Sequence, residues 1–466
     1  MSELKKKKVK YVLSVRLRGD KKKIARSSLL RFQHLKNLLY ILINKYFELT
    51  SKYLDLKQRD KIANCRDKEL IDQLIQLDSS LINIINNIQN IYKHNGSDFF
   101  QATNKQVDKE YKSYFALLKK YKNGKIENKP GIPRPKKLDK IINVNYILCH
   151  RQFKLIDDNT YLIKPTKDKN LHFNIKFSKL KYIDPNNIKT FGIRMSLTDI
   201  YLDIYYEVDL SEFENVTGNY KLGIDLGISN LISAISNNPN LKSFIISGNE
   251  IKSFNQWANK HLAKLRSKID LETDKDKKKD LIYMYRKLFA YRNRRIKSVF
   301  HQITNKIIQI CKQYGINEII IGDLPSAKQN INLGSRNNQN FYSIPFSVLI
   351  NQLKYKGEKY GIKVTIVEEY YTSAKSAITN KIYEKHIYRK YGRGSYFDPK
   401  INKIWNADIN GAFNIIRCVY KNAFKNFSDK LKLIKLANPI KFNITTLTQS
   451  NISLIVNELK ATRNLI

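Results

Sequence analysis

Apolar positions along the chain change their spacing several times, and each change predicts a different kind of element. Val9–Leu17 alternates: Val9, Tyr11, Leu13, Val15 and Leu17 are set against Lys10, Ser14 and Arg16, with Val12 the exception. This predicts a half-buried strand with a partly cationic face. Ser27 and Ser28 read as a helix start, and residues 29–122 are helical in period, nearly free of Gly and Pro. Leu35, Leu38, Leu39, Leu42 and Tyr46 fall on one stripe. Leu70–Tyr92 predicts a second helix or a pair, and Lys109–Tyr121 a third.

Gly124, Pro130, Gly131, Pro133 and Pro135 then break the pattern, so Lys122–Lys140 is a cationic loop and a domain boundary. Short strand-like runs follow at Phe153–Ile156, Thr160–Ile163, His172–Ile175, Thr190–Met195 and Tyr201–Val208. They predict a small β-rich unit. The first strand is expected to join it, so that the helical segment interrupts the unit. From Tyr220 the order changes again. Leu222–Leu226, Leu231–Ile235 and Ser243–Ile246 read as three strands, and Lys252–Leu288 as a polar helical stretch. Tyr291–Tyr314 is an amphipathic helix closed by Gly315. Glu318–Ile321, Phe346–Tyr360 and Lys363–Val367 then read as strand, helix and strand. Three antiparallel strands followed by such units is the order of a ribonuclease-H-like α/β sheet.

Charge narrows the class. Among 466 residues, Lys and Arg number 85 against 41 acids, a formal charge of +44. Such an excess opposes compaction and favours a polyanionic partner. The 29 Tyr and 21 Phe supply flat faces for unpaired bases. The competing reading is a coat of solvated lysines from an AT-rich genome. Cys65, Cys149, Cys311 and Cys418 are scattered without a C-x-x-C pair, which speaks against a zinc ribbon or a disulfide framework and for a reducing compartment. The N-terminus is charged where a signal peptide needs an apolar core, and the longest apolar runs, such as Leu38–Ile43, are far short of a membrane span. Lys5–Lys8 with Lys10 reads as a basic arm on nucleic acid, or as a nuclear-import signal.

Candidate chemistry gathers where strands end. Asp225 lies in Gly223-Ile-Asp-Leu-Gly227, an acid on an apolar strand that needs a partner to be buried. Asp323 follows strand 318–321, Glu368 and Glu369 follow strand 363–367, and Asp408 lies on a helix-like segment. Carboxylates from separate elements at one sheet edge suit a pair of Mg²⁺ ions, which activate water and stabilise the leaving oxygen in phosphodiester cleavage. A lone G-x-D-x-G is weak by itself, because sugar kinases and chaperone ATPases also open this way. They require further glycine-rich phosphate loops, which this sequence lacks.

Taken in order, Gly223-Ile-Asp-Leu-Gly227, Ile321-Gly-Asp-Leu-Pro325, Glu369-Tyr-Tyr-Thr-Ser373, Arg393-Gly-Ser-Tyr396 and Asn406-Ala-Asp-Ile-Asn-Gly-Ala412 resemble the TnpB family, RNA-guided nucleases of insertion sequences related to Fanzor proteins and type V CRISPR effectors. Asn293-Arg-Arg295 with His301, Asn338-Gln339 with Phe346, and Tyr355-Lys356 add to the likeness. Gly131-Ile-Pro-Arg-Pro135 resembles the loop leading into that family's wedge domain. The resemblance is specific over 285–417 and 220–230 and architectural over 1–219.

It implies an α/β RuvC (ribonuclease-H-like) nuclease domain at 219–466 with an insert at 374–404. It also implies an amino-terminal β-rich wedge domain at 1–28 and 123–218, interrupted by a helical recognition lobe at 29–122. Asp225, a glutamate and Asp408 would then be the catalytic and metal-binding residues of a two-ion Mg²⁺ site in which Mn²⁺ can substitute. The family's usual glutamate position is Gly322 here. Asp323 is shifted by one and so faces the other side of the strand. Glu369 is the expected third acid, in the manner of a subgroup with a displaced glutamate, with Glu368 next and Asp323 third. The insert has no Cys and His386 as its one His, so no zinc is expected. Its Lys381, Lys385, Arg389, Lys390 and Arg393 read either as nucleic-acid contacts or as a plain basic loop. Further contacts are expected from Arg134, Lys136, Lys137, Arg292, Arg294, Arg295 and Lys356, while His301 reads as a packing residue.

The implied partners are guide RNA and a double-stranded DNA target, with no membrane, and the oligomeric state, monomer or homodimer, stays open. The implied location is the cytoplasmic nucleoid, or the nucleus in a eukaryotic host. The alternatives are a nuclease-inactive RNA-guided repressor and an unguided RuvC-like resolvase or transposase.

Overall fold

A computed structural model describes residues 8–138, 141–176, 183–323, 344–368 and 371–460. Glu369, the 324–343 stretch with Asn338-Gln339, and most of the Lys5–Lys8 run lie outside the described residues. The chain divides into two compact units, Met1–Asp209 and Leu210–Ile466.

The first unit opens with β1 (Lys8–Arg16) and continues through α1 (Gly19–Thr50), α2 (Leu56–Ala63), α3 (Lys68–Leu77), α4 (Leu81–Asn95) and α5 (Ser97–Lys122). Six strands follow: β2 (Asn143–Ile147), β3 (Phe153–Asp157), β4 (Thr160–Ile163), β5 (Phe173–Lys176), β6 (Ile188–Ser196) and β7 (Asp199–Asp209). One sheet runs β1-β7-β6-β2 and a second β3-β4-β5. β1 pairs antiparallel with β7, from Lys8↔Asp209 to Arg16↔Tyr201. The α1 stripe predicted by leucine spacing is buried at Leu35, Leu38, Leu39 and Leu42 and half-buried at Tyr46, and Phe32 stacks on Tyr146 at 4.8 Å.

Local chemistry moves several expected boundaries. The helix start expected at Ser27–Ser28 lies inside α1, where Ser28 donates to the Ile24 carbonyl instead of capping. Leu70–Tyr92 is two helices, broken at Asp78–Ser80. The short α2 is defined by a capping box between Asp55 and Gln58. Behind it Arg59 is fully buried and bonded to Tyr53, Asn104 and the Leu54 carbonyl, a cation inside the lobe that no apolar period announces.

In the second unit β8 (Tyr220–Leu226), β9 (Asn230–Ser236) and β10 (Phe244–Ser247) are followed by α6 (Asn249–Leu271), α7 (Lys275–Gln313), β11 (Ile316–Gly322), α8 (Phe346–Glu358) and β12 (Lys363–Val367). Then come the short α9 (Lys385–Tyr388), the hairpin β13 (Ser395–Asp398) and β14 (Lys403–Asn406), and α10 (Ala407–Val419). The last elements are α11 (Asp429–Ala437), β15 (Ile440–Phe442), α12 (Ile444–Gln449) and α13 (Ile452–Leu459). The sheet order is β12-β11-β8-β9-β10-β15. β8, β9 and β10 are antiparallel neighbours, whereas β11 and β12 run parallel to β8.

Ile296, Phe300, Ile303 and Ile307 of α7, with Leu349 and Leu353 of α8, fill the core on one face. Ile409, Phe413 and Ile416 of α10 fill the other. The polar stretch expected as one helix over Lys252–Leu288 divides at 272–274, where Asp274 accepts from the backbone N–H of Asp276 and Lys277 and starts α7. At the far edge the buried Lys435 ammonium donates to the carbonyls of Ser236, Asn238 and Leu241, fastening α11 to the β9–β10 turn.

Candidate active site

Strand alternation decides what β8 offers. Leu222, Ile224 and Leu226 enter the core shared with α7 and α8. Gly223 and Asp225 therefore face α10. Two glycines let the helix lie close. A Cβ on Gly223 would meet the Ala412 carbonyl at 2.3 Å and Ile416 Cγ1 at 2.6 Å. A Cβ on Gly411 would stand 2.6 Å from Asp225 Oδ2. The Asp225 carboxylate thus occupies the space left open by Gly411, one helical turn on from Asp408.

Asp408 is held from both sides. Asn406 caps α10, its side chain accepting from the N–H of Asp408 and Ile409, both at 3.0 Å. Asn230, the first residue of β9, donates to Asp408 Oδ2 at 2.6 Å. The turn from β8 to β9 is tight, since a Cβ on Gly227 would fall 2.6 Å from the Asn230 carbonyl. The structure therefore brings Asp225 and Asp408, distant in sequence, to one strand edge and one helix end. Carboxylates gathered at one edge are hard oxygen donors. All-oxygen donors suit Mg²⁺ or Mn²⁺ rather than a thiolate-seeking metal.

Two of the other candidate acids leave the neighbouring strands. Gly322 pairs with Val367, and the Asp323 N–H donates to the Val367 carbonyl at 2.7 Å, so Asp323 and Glu368 leave the same edge side by side. Ile320 and Val367 belong to the α10 core and Ile321 to the opposite one. Gly322 thus shares a face with Asp225, and alternation turns Asp323 away. Glu368 is exposed, one residue past Val367.

The far end of α10 is fixed by a residue that motif reading passed over. Glu318 is buried and accepts from Tyr420 Oη and Thr365 Oγ1, both at 2.6 Å. Burial alone would raise its carboxyl. The Thr365 and Tyr420 hydrogen bonds, with Lys363 and Lys221, outweigh this and hold it below the usual range.

Between β12 and α10 the cysteine-free insert is knit by other means. Tyr388, Tyr396 and Trp405 stack in a row at 5.4 and 5.2 Å. Asp398 accepts from Thr379 Oγ1 at 2.6 Å and Tyr383 Oη at 2.8 Å. Asn410 and Asn414, both buried on α10, clamp the 372–377 segment. Asn410 accepts from Ala377 N and Trp405 Nε1 and donates to the Lys375 carbonyl. Asn414 donates to the carbonyls of Thr372 and Lys375. Lys381, Lys385, Lys390 and Arg393 point outward, exposed; Arg389 is half-buried.

The remaining basic candidates divide. Arg134, Lys136 and Lys137 are exposed on a loop strapped to α1, where Asn37 bonds both backbone groups of Lys136 and Asn44 donates to the Pro133 carbonyl. Arg295 is also exposed, its guanidinium 4.5 Å from the Phe254 ring, and Arg294 is half-buried. Two expected contacts are corrected. Arg292 is buried between α6 and α7, with Nε donating to Asn255 at 2.9 Å. Lys356 turns onto α7, donating to the His301 carbonyl at 2.8 Å and Thr304 Oγ1 at 2.7 Å. In both cases the neighbouring helix claims a cation that the sequence leaves apparently free. His301 meets Tyr355 Oη at 3.2 Å, and burial, with Lys356 and Lys297 nearby, pushes its pKa down to about 4.

Residues 203–327 match the family described as "Probable transposase" (OrfB_IS605), and residues 346–415 match the "Cas12f1-like, TNB domain". The TnpB-like protein ORF457 of Acidianus two-tailed virus is 23% identical over 348 residues, covering 68% of this chain and 72% of that protein. Among solved structures, the chain resembles that of the Cas12f1-sgRNA-target DNA complex, with a TM-score of 0.52 at 16% identity over 84% of this chain and 82% of that one.

Proposed function

We propose that the chain is a transposon-associated, RNA-guided DNA endonuclease of the TnpB kind, a reading supported by the transposase and Cas12f1-like family matches, the likeness to the TnpB-like ORF457 and the α/β fold shared with the Cas12f1 chain. The observation that carries this is the convergence of Asp225 and Asp408 across the Gly223 and Gly411 contacts. Asp225, Glu369 and Asp408 would hold two Mg²⁺ ions, which supply Lewis acidity and neutralise charge at the scissile phosphate. Glu369 is kept as the expected third acid, with Glu368 next and Asp323, turned to the other face of its strand, third. Asn230 orients Asp408, and Asn410 and Asn414 hold the segment that follows Glu369.

In this reading 1–28 and 123–218 form a wedge domain, 29–122 a recognition lobe, and 219–466 the nuclease domain with its insert at 374–404. The first two hold guide RNA and the guide–target duplex by backbone and shape, while base pairing supplies sequence and the protein reads a short motif beside the target. The protein acts where its DNA lies, in a nucleoid or, in a eukaryotic host, a nucleus.

Sequencing RNA that co-purifies with the chain tests the guided half. A single defined RNA species supports it, and RNA-free protein that cuts DNA points instead to an unguided resolvase. Asp225→Ala should abolish cleavage and leave guided binding intact. Cleavage by the purified variant refutes the site. Loss of cutting in Glu369→Ala but not in Glu368→Ala assigns the third acid, and a parent that binds without cutting is a guided repressor.

A further inference from the structure

α6 and α7 form a hairpin that extends past the sheet. β9 runs antiparallel to both β8 and β10, so β10 ends at the edge where β8 presents Asp225. The Gly248 N–H donates to the Ser229 carbonyl at 2.8 Å, tying the start of α6 to the turn after Asp225. α7 meets the sheet core from Ile296 onward, and its residues 275–289 include no buried side chain. At 1.5 Å per residue its first 21 residues reach about 30 Å beyond that edge.

On this hairpin lies a groove of about 300 Å³ lined by Trp257, His261, Lys264, Leu265, Lys268 and Leu288. Trp257 is 46% exposed. It stacks on Phe254 at 5.7 Å and meets His261 at 4.8 Å, and Arg295 caps the far side of this row over Phe254. From Lys252 to Lys268, α6 carries five Lys or Arg residues and no acid. The candidate active site does not use this groove.

An apolar slot with an indole wall and a lysine rim matches a planar aromatic group joined to an anion. The groove has room for one base but not for a duplex. Trp257 lies nine residues after Gly248, about 13 Å along the helix from the carboxylate edge. A strand with a phosphate at the carboxylates therefore reaches the groove within a few nucleotides. We propose that the α6–α7 groove is a subsite for one unpaired base of the single-stranded DNA delivered to the carboxylates. The base stacks against Trp257, and Lys264 and Lys268 hold the adjoining phosphates. This rests on the nucleic-acid half of the function proposed above and not on cleavage.

The chain has two tryptophans, and the other, Trp405, is buried, so Trp257 emission reports on the groove. The full chain, without magnesium, is titrated with a fluorescein-labelled dodecamer of deoxythymidine, and anisotropy gives binding independently of the tryptophan signal. Saturable quenching with the same midpoint as the anisotropy supports the subsite. Trp257→Leu should weaken binding roughly tenfold, the scale of one lost base stack. Lys264→Gln with Lys268→Gln should lower the salt slope by about 1.4, or 0.7 for each phosphate contact on a single strand. The lysine pair also carries the test if Trp257→Leu fails to fold. DNA binding with unchanged tryptophan emission overturns the subsite and leaves the function standing. An RNA dodecamer that binds and quenches more strongly reassigns the groove to RNA and overturns the DNA assignment. No binding of either strand refutes both the subsite and the nucleic-acid reading.

Discussion

Gly223→Ala isolates the contact on which the candidate site depends. The added Cβ would lie 2.3 Å from the Ala412 carbonyl oxygen and 2.6 Å from Ile416 Cγ1. The first of these is helix backbone, already committed to the helical ladder, and has no rotamer by which to withdraw. Relief requires α10 to move off β8, or the strand to bow, by about 1 Å, an overpacking cost of roughly 1–3 kcal/mol. Asp225 rides on the strand and Asp408 on the helix, so the same displacement separates the two carboxylates. A misplacement of about 1 Å costs on the order of a hundredfold in rate. Single-turnover cleavage in saturating Mg²⁺ should fall by about that factor, while guided DNA binding stays near parental and the melting temperature drops by a few degrees. Gly131→Ala is the control, because nothing lies within 4 Å of its added Cβ. A folded Gly223→Ala protein that cuts at the parental rate would show that α10 does not set the distance between the acids.

Other outcomes follow from the same geometry. Asn414→Ala removes one of the two amides that donate to the Thr372 and Lys375 carbonyls, leaving Asn410 at 3.5 and 2.9 Å, at about 0.5–1.5 kcal/mol; it should raise the Mg²⁺ concentration needed for half-maximal cleavage without changing DNA affinity, and an unchanged metal requirement refutes a positioning role. Lys435→Met removes the ammonium from three buried carbonyls and should cost roughly 2–4 kcal/mol in urea unfolding followed by a probe in the second unit; a parental midpoint refutes the fastening. His301 has a folded pKa of about 4, below its ordinary 6.5, so the unfolded chain binds the proton first. Stability contributed at neutral pH is therefore lost as pH falls from about 6.5 toward 4. Imidazole NMR should show a midpoint near 4, and one near 6.5 would refute the burial argument.

How far the sequence discloses this arrangement depends on whether a residue's signal is local. Asp225 is visible because an apolar run frames it, and Asp408 because it stands in the Asn406-Ala-Asp-Ile-Asn-Gly-Ala412 motif. The α7 stripe and the apolar runs of β11 and β12 are equally self-announcing. Arg292 and Lys356 mislead for the opposite reason. Each lies on a basic helix surface by its own period, and only the partner helix, α6 for one and α7 for the other, turns that surface inward. β15 is three residues long and is a strand only because β10 lies beside it. Asn37, Asn44, Asn410 and Asn414 disappear among the asparagines of a Lys- and Asn-rich chain, although side-chain amides bonded to backbone across long sequence gaps are what hold the basic loop and the insert in place. Period reveals which face of an element is covered, but not what covers it. For that reason the absence of an acid at Gly322 is legible in the sequence, whereas the close approach of α10 to β8, which makes Asp225 and Asp408 neighbours, emerges only when glycine is recognised on both sides of the contact.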